Sequence, residues 1–379
     1  MSNKEQQIPA IRFKGFTDVW EQRELKEILK VNSGRDYKHL GSGSIPVYGT
    51  GGYMLSVNDK LSDKDAIGIG RKGTIDKPQY LKAPFWTVDT LFFMIPLNNF
   101  DLQFLYTMTQ KINWKKMDES TGVPSLSKAV IEKVNQNIPS YQEQIKIGGF
   151  FKQLDNTIAL HQQKQRQIRS LKQGFIKNLF PNNKNSAPRI RFSIFNDDWN
   201  QRNASEIFTS VSDKNYPELP VLSASQEKGM VLRESNGIDI KYDQKSTGTY
   251  KRVLPGQFVM HLRSFQGGFA YSTIEGITSP AYTILAFRNK EDHYPLFWKS
   301  IFSSKNFIKR LEAITYGIRD GRSISYADFS TLRFWIPSYE EQKQIGDFIE
   351  SIDATIAFYQ RQIDMMQSLK KELLNKMFI

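Results

Sequence analysis

Basic and amide side chains stand on three glycine-bearing segments of this chain. They are Arg71 and Lys72 in GIGRKG, Arg263 and Gln266 in LRSFQGG, and Arg319 and Arg322 in GIRDGRS. Arginine and glutamine can form paired hydrogen bonds with the edges of guanine and adenine, and lysine suits phosphate. These segments therefore predict loops that contact DNA. The alternative is that they carry ordinary solvated loop charges.

Patterns that carry catalysis are weak in this chain. GIGRKG at 68–73 has the glycine spacing of a dinucleotide-binding loop, but the acidic residue and the βαβ unit that should follow are missing. There is no GxxxxGK[ST] phosphate loop, and no Asn-Pro-Pro or Asp-Pro-Pro run of the kind that adenine methyltransferases use. A nuclease-like triplet can be assembled from Glu218, Asp239 and Lys241, but such triplets are common by accident. We therefore expect a binding protein without chemistry of its own.

Composition narrows the class of protein further. The 379 residues correspond to about two or three domains, and 39% hydrophobic residues indicate folded cores. With no Cys and four His, the chain offers no disulfide and little material for a transition-metal site. A net charge of +13 favours a polyanionic partner such as nucleic acid. The longest apolar run, 91–97, is too short to cross a membrane, so we expect a cytoplasmic protein.

The chain contains an internal repeat. IRFKGFTDVWEQR at 11–23 returns as IRFSIFNDDWNQR at 190–202, an offset of 179 with 8 of 13 positions identical. NIPSYQEQIKIGGFFKQLDNTIAL at 137–160 returns as WIPSYEEQKQIGDFIESIDATIAF at 335–358, an offset of 198. We call these four segments the frame. The bodies between them hardly resemble each other, so one scaffold is expected to present two different recognition surfaces.

Each second frame segment predicts a long helix. Ser140 with Glu143 and Ser338 with Glu341 form capping-box patterns that mark the helix starts. A heptad seam follows in one register in both copies. Its positions are Phe151, Leu154, Ile158, His161, Gln165, Ile168, Lys172, Phe175 and Leu179 in the first copy, and Ile349, Ile352, Ile356, Tyr359, Ile363, Met366, Lys370, Leu373 and Met377 in the second.

Charge favours pairing of these two helices within one chain. Residues 138–180 carry seven Lys/Arg and two Asp/Glu, whereas residues 336–379 carry five and seven. The two segments therefore complement each other better than either complements itself. The alternative is a homodimeric coiled coil between two chains.

The pattern predicts an α/β (α+β) fold with two recognition domains that contain small mixed sheets, each followed by a long helix. Short strands alternate with turns in both bodies, and helical stretches follow near 101–117 and 295–315. The expected boundaries are 1–137 for the first domain, 138–180 for the central spacer helix, 181–188 for a linker, 189–335 for the second domain and 336–379 for the C-terminal spacer helix. The two helices would form an antiparallel coiled coil.

These motifs together resemble the specificity subunits of type I restriction-modification systems. The resemblance covers nearly the whole chain. It rests on the P-S-x-x-E-Q helix starts at 139–144 and 337–342, on the Trp-x-Gln-Arg segments at 20–23 and 199–202, and on VYGTGG, GRKGT and FWTVDT in the first body. LPGQFVMHLRSFQGG, GITSPAY and GIRDGRSIS resemble the corresponding elements of another subtype of the same domain.

The resemblance implies a non-catalytic subunit whose two target recognition domains each read one half of a bipartite, asymmetric double-stranded DNA site. The helices would set the spacing and dock two methyltransferase (modification) subunits. Those subunits would bring S-adenosylmethionine, and restriction (translocase) subunits would add ATP- and Mg²⁺-dependent cleavage, so this chain itself needs no cofactor, metal or membrane.

The resemblance also suggests site residues. The candidate DNA contacts are Tyr48, Thr50, Arg71, Lys72, Arg263, Gln266, Arg319 and Arg322. The candidate spacer and partner-interface residues are Phe151, Leu154, Ile158, Ile168, Phe175, Ile349, Ile352, Ile356, Ile363 and Leu373. Two other functions stay open on the residues alone: a self-contained DNA-modifying enzyme with an unrecognised active site, and a coiled-coil adaptor that binds only proteins.

Overall fold

The structure is a computed structural model that describes residues 8–181, 186–225, 228–236, 244–261, 267–314 and 324–379. The chain divides into two compact units. Unit 1 comprises residues 1–163 and 360–379, and unit 2 comprises residues 164–359. In the part of the chain that the structure describes, no helix is both long enough and apolar enough to cross a bilayer.

Unit 1 contains the first body, the first frame segments and one half of each long helix. Its elements up to the first long helix are β1 (Glu21–Glu24), α1 (Leu25–Ile28), β2 (Leu29–Ser33), β3 (Ser42–Gly49), β4 (Gly52–Val57), β5 (Ala66–Gly70), β6 (Gln79–Leu81), β7 (Trp86–Thr87), β8 (Leu91–Pro96), α2 (Leu102–Lys111), α3 (Lys128–Glu132), β9 (Asn135–Ile138) and α4 (Tyr141–Leu179). Frame strands β1 and β9 pair antiparallel, so the body begins and ends at one place.

Two sheets form the body of unit 1. The larger is antiparallel with the order β2-β8-β5-β6, and the smaller, β4-β3-β7, is mixed because β3 pairs antiparallel with β4 and parallel with β7. Every residue of β5 is buried. A Cβ on Gly68 would meet Leu81 at 3.1 Å, and one on Gly70 would meet the Thr74 carbonyl oxygen at 2.1 Å. Gly68 and Gly70 of GIGRKG are therefore packing residues in an antiparallel sheet, and no βαβ unit surrounds them.

Unit 2 repeats this plan with different residues. Its elements are β10 (Asn200–Asn203), α5 (Ala204–Ile207), β11 (Phe208–Val211), β12 (Leu222–Ser225), β13 (Gly229–Leu232), β14 (Lys251–Val253), β15 (Phe258–Met260), β16 (Ala270–Tyr271), β17 (Gly276–Thr278), β18 (Thr283–Phe287), α6 (Pro295–Phe302), α7 (Lys305–Ala313), α8 (Tyr326–Ser330), β19 (Arg333–Ile336) and α9 (Tyr339–Met377). Frame strands β10 and β19 pair antiparallel, as β1 and β9 do in unit 1.

The main sheet of unit 2 is antiparallel with the order β11-β18-β15-β16. This order matches β2-β8-β5-β6 of unit 1, strand for strand, although the two bodies share little sequence. Its core is aromatic: Phe208 packs against Trp298 at 4.9 Å between ring centroids and against Phe302 at 5.5 Å. The duplication therefore extends through the bodies as well as the frame.

The predicted antiparallel coiled coil is confirmed. Helices α4 and α9 each contain 39 residues. Within unit 1, Phe151 near the start of α4 packs against Phe378 just beyond α9. Within unit 2, Phe175 near the end of α4 packs against Phe348 near the start of α9. All the predicted seam positions are buried or half-buried, and the pairing lies within one chain.

The polar seam positions have protein partners on the opposite helix. In unit 2, the Lys172 ammonium lies 2.5 Å from the Asp353 carboxylate. In unit 1, the corresponding Lys370 lies 2.6 Å from Asp155. The offset of 198 relates the two lysines and also the two aspartates, so the same ion pair occurs once in each unit with the helices exchanged. Gln165 donates to a main-chain carbonyl of α9.

The repeated frame residues make equivalent hydrogen bonds in both units. The Glu143 carboxylate accepts two hydrogen bonds from the Arg12 guanidinium, and the Glu341 carboxylate accepts two from Arg191. Both glutamates are buried. The neighbouring Gln144 accepts from the N–H of the residue that caps α2 and donates to the carbonyl of the frame proline. The P-S-x-x-E-Q motif thus ties each helix start to its frame and to its body.

Candidate nucleic-acid interface

The hairpin between β3 and β4 presents two of the predicted DNA contacts, Tyr48 and Thr50. Gly52 turns the chain with φ of +108°, a conformation that favours glycine. The side-chain amide of Gln79, on the neighbouring β6, donates to the carbonyls of Gly49 at 2.9 Å and Thr50 at 3.1 Å. Gln79, which the sequence pattern did not select, therefore holds the tip of the hairpin in place.

The turn after β5 presents the other two predicted contacts of unit 1, Arg71 and Lys72. The N–H of Arg71 donates to the Thr90 carbonyl at 2.8 Å, and Gly73 turns the chain with φ of +87°. Both basic side chains are exposed. The Arg71 guanidinium carbon lies 5.9 Å from the centroid of the Phe92 ring, which can hold the cation by its π face.

These two segments meet. A Cβ built on Gly73 would lie 3.9 Å from the Thr50 hydroxyl oxygen. Beside them is an open hollow of about 690 Å³, lined by residues 36–38, 49–54 and 88–90. Its rim carries Lys38 and the exposed ring of Tyr53. The hairpin that carries Tyr48 and Thr50 thus lies beside the turn that carries Arg71 and Lys72, although Thr50 and Arg71 are 21 positions apart along the chain.

A third segment borders this surface and was not selected from the sequence. The N–H of Gly73 donates to the Pro124 carbonyl at 2.8 Å, which joins the GRKG turn to residues 118–126. Asp118 holds that loop closed by accepting from Ser125 N–H at 2.9 Å and from Ser120. The hydrogen bond from Ser125, followed by those from Ser120, lowers the pKa of Asp118. The Thr-Gly-Val-Pro turn signal at 121–124 was available in the sequence.

The structure does not describe the predicted DNA contacts of the second domain. Arg263, Gln266, Arg319 and Arg322 lie outside the described residues. Of the nuclease-like triplet, Asp239 and Lys241 also lie outside them. Across the described ranges, no group of three or more acidic, His or Cys side chains is arranged to hold a metal ion.

The predicted spacer and partner-interface residues lie inside the helix pair, where they pack one helix on the other. Other apolar side chains stand on the outer surface. They are Leu160, Met365 and Leu369 in unit 1 and Leu171 and Phe358 in unit 2, each between 45% and 59% exposed. Each of these side chains lies two residues after or one residue before a seam position of its helix. These two positions are about 60° apart around a helix, so the exposed side chains of each helix lie on one flank of it.

The offset of 198 relates the exposed side chains as well. It carries Leu160 onto Phe358 and Leu171 onto Leu369. Exposed apolar side chains recurring in duplicate on a helix flank are typical of a surface that another protein covers. We call these five residues the outer apolar flank.

Comparison with known proteins agrees with this geometry. Residues 17–170 match the type I restriction modification DNA specificity domain. The MjaVIII specificity subunit of a type I restriction enzyme from Methanocaldococcus jannaschii is 22% identical over 298 residues, which cover 73% of this chain and 68% of that protein.

Two solved structures share the fold. The S subunit of a type I restriction-modification system from M. genitalium has a TM-score of 0.66 and 14% identity, with 98% of this chain and 99% of that chain covered. A chain from a structural study of complex assembly and conformational transition in the type I R-M system has a TM-score of 0.51 and 14% identity, with 94% and 97% covered.

Proposed function

Because this chain belongs to the specificity subunits of type I restriction-modification systems, we propose that each of its two units recognises one half of a bipartite DNA target. Subunits of this kind are non-catalytic, and the chain is accordingly not an enzyme. The observation that carries the proposal is the duplication: the frame and the strand order of the main sheet recur in both units, while the loops that they present differ.

In unit 1, the recognition surface is formed by the β3–β4 hairpin and the GRKG turn. Arg71 is suited to pair with a guanine edge, and Lys72 and the Thr50 hydroxyl are suited to phosphate and backbone contacts. Tyr48 supports the hairpin from its base, where its ring packs against Tyr53 at 6.5 Å. The hydrogen bonds from Gln79 fix this surface before DNA binds, which limits the entropy lost on binding.

In unit 2, we assign the corresponding contacts to Arg263, Gln266, Arg319 and Arg322. The order along the chain supports this for the first segment, because Arg263 and Gln266 follow β15, the counterpart of β5, as Arg71 and Lys72 follow β5. Different residues on equivalent loops favour different bases, so the complete target is asymmetric.

The two long helices act as the spacer, and we expect partners to bind their outer flank. A helix of 39 residues spans about 58 Å, at 1.5 Å per residue. The outer apolar flank supports docking of two copies of one partner, because Leu160 and Phe358 are equivalent positions of the repeat. We assign this flank to two modification subunits that bring S-adenosylmethionine. Restriction subunits with ATP and Mg²⁺ would join that complex in the cytoplasm.

Recognition of half-sites can be tested with the complete complex of this chain and its modification subunits. The target is first found by mapping methylated adenines in cells with and without this chain. The Arg71→Ala variant should then lose about 1–3 kcal/mol of binding free energy at one half-site, while the other half-site is still read normally. Lys14→Ala removes the same charge from an exposed frame position and should change the binding of neither half-site.

Two outcomes would contradict the proposal. An equal loss on unrelated DNA sequences would make Arg71 a phosphate contact rather than a base contact. Methylation of DNA by the purified chain alone with S-adenosylmethionine would show that it is a self-contained enzyme.

A further inference from the structure

A second and larger hollow lies wholly within unit 2. Its volume is about 1280 Å³, and it is bordered by the last turns of α4, by α7 and by β19. We call it the α4–α7 groove. Its lining includes the aromatic side chains of Phe180 and Trp335, both half-buried. The groove therefore offers partly uncovered apolar surface.

The groove is also strongly basic. Five of its lining residues are cationic, and none of the described lining residues is acidic: the cations are Lys177, Lys305, Lys309, Arg310 and Arg333. The remaining polar lining consists of neutral hydroxyl and amide side chains. A partner that enters the groove must therefore bring negative charge if these cations are to be compensated.

Arg310 is the most constrained of these cations. It is half-buried; one of its nitrogens donates to the Arg333 carbonyl at 2.6 Å, and its guanidinium carbon lies 5.2 Å from the Phe334 ring centroid. Burial lowers its pKa, and among the described residues no carboxylate pairs with it. A guanidinium held in apolar surroundings without a counter-ion is costly, and a carboxylate from another molecule would offset that cost.

The repeat shows that the frame does not require this surface. The offset of 198 relates Trp335 to Asn137, Arg333 to Asn135 and Lys177 to Asn375. At each of these positions, unit 1 has a neutral amide where unit 2 has an aromatic or a cationic side chain. The frame strands pair in the same way in both units, so this pairing does not require a cation or an aromatic ring at these positions.

We propose that the α4–α7 groove binds an acidic amphipathic segment of a partner protein, in a single copy for each chain. Apolar side chains of that segment would cover Phe180 and Trp335, and its carboxylates would pair with Arg310 and Arg333. A DNA backbone would satisfy the cations but leave the aromatic surface uncovered, which favours a protein. The groove occurs on one half of the repeat, so this partner differs from one that docks in two equivalent copies on the outer apolar flank.

A synthetic peptide can serve as the probe. We would use a fluorescein-labelled amphipathic helix of leucine and glutamate, and measure its binding to the full chain by fluorescence anisotropy. We expect saturable binding with one peptide per chain. Replacing its glutamates with glutamine should weaken binding at least about tenfold, because the charge pairs are lost.

Variants of the chain locate the site. Arg333→Gln and Arg310→Gln should each weaken peptide binding about tenfold. Arg333 is exposed, so its variant keeps the test valid if the Arg310 variant fails to fold. Lys371→Gln is the matched control, because Lys371 corresponds to Gln173 of the groove but lies in unit 1.

Three results would overturn the proposal: no saturable peptide binding, equal losses in the Lys371 variant, or displacement of the peptide by a short DNA duplex of unrelated sequence. Binding of the complete complex to its DNA target is measured in parallel. That binding should be unchanged in Arg333→Gln, so failure of the groove and failure of half-site recognition are distinguishable.

Discussion

Arg12 and Glu143 form a two-pronged ion pair, with Nε and Nη2 of the arginine each 2.7 Å from a carboxylate oxygen. The glutamate side chain is fully buried, and the arginine is 11% exposed. The hydrogen bonds to Glu143 raise the pKa of Arg12. Because Glu143 lies in the first turn of α4, this pair fastens the frame segment at 11–23 to the start of the long helix.

Breaking this pair should destabilise unit 1. Arg12→Ala leaves a buried carboxylate without its partner, and we expect the free energy of unfolding of unit 1 to fall by about 3 kcal/mol. Hydrogen exchange of the first turns of α4 measures the change. Lys14→Ala, in the same segment, should change it by less than about 0.5 kcal/mol. Equal protection in the two variants would contradict this account of the frame.

Adjacent glycines in α4 give a second, internally controlled prediction. A Cβ on Gly148 would lie 2.5 Å from an Asp101 carboxylate oxygen and 2.6 Å from the Phe104 nitrogen, whereas a Cβ on Gly149 would meet nothing within 4 Å. Gly148→Ala should therefore destabilise unit 1 by about 1–3 kcal/mol. Gly149→Ala should stabilise it by up to about 1 kcal/mol, because alanine favours helix. Thermal unfolding of the two variants decides the point, and the same sign in both would contradict it.

The stability of unit 2 should depend on pH through His293. This side chain is 7% exposed and packs against Phe287 and Trp298. Burial lowers its pKa from 6.5 to about 4, so the unfolded chain takes up a proton that the folded chain refuses. The contribution of the neutral His293 to the free energy of unfolding is therefore complete above pH 6.5. It falls by about 3 kcal/mol as the pH drops towards 4.

Replacement of the imidazole isolates this contribution from that of the carboxylates. In His293→Phe, the loss of stability between pH 6.5 and 4 should be smaller than in the unchanged chain by the same amount. Hydrogen exchange of α6 at a series of pH values compares the two. Parallel pH profiles would rule out the neutral, buried histidine as the cause.

The docking proposed for the outer apolar flank predicts how many modification subunits bind. Replacing Leu160 and Leu369 of unit 1 with glutamate should remove one bound subunit, because charges would then replace the apolar contact. Phe358→Glu with Leu171→Glu should do the same through unit 2. Native mass spectrometry of the purified complex counts the subunits. Loss of both subunits from either pair of changes, or of neither, would contradict two equivalent docking sites.

The sequence was sufficient for the long-range plan of the molecule. Heptad periodicity predicted the seam through Phe151 and Ile349, because the residues of a helical seam recur at a fixed spacing along the sequence. It could not show that the two main sheets share one strand order, because pairing joins residues whose types differ between the bodies. Gln79 was missed for a related reason: its role is a pair of hydrogen bonds to main-chain carbonyls, which no side-chain pattern records.

The packing of Phe378 on Phe104, at 5.4 Å between ring centroids, has a consequence for biosynthesis. A ribosome that has released residues 1–163 has not yet made the segment 360–379 that completes the same core. The core of unit 1 therefore stays incomplete on its first-translated side until residues 360–379 have been made. The residues of unit 2 are contiguous, so all of them are made before the segment that completes unit 1.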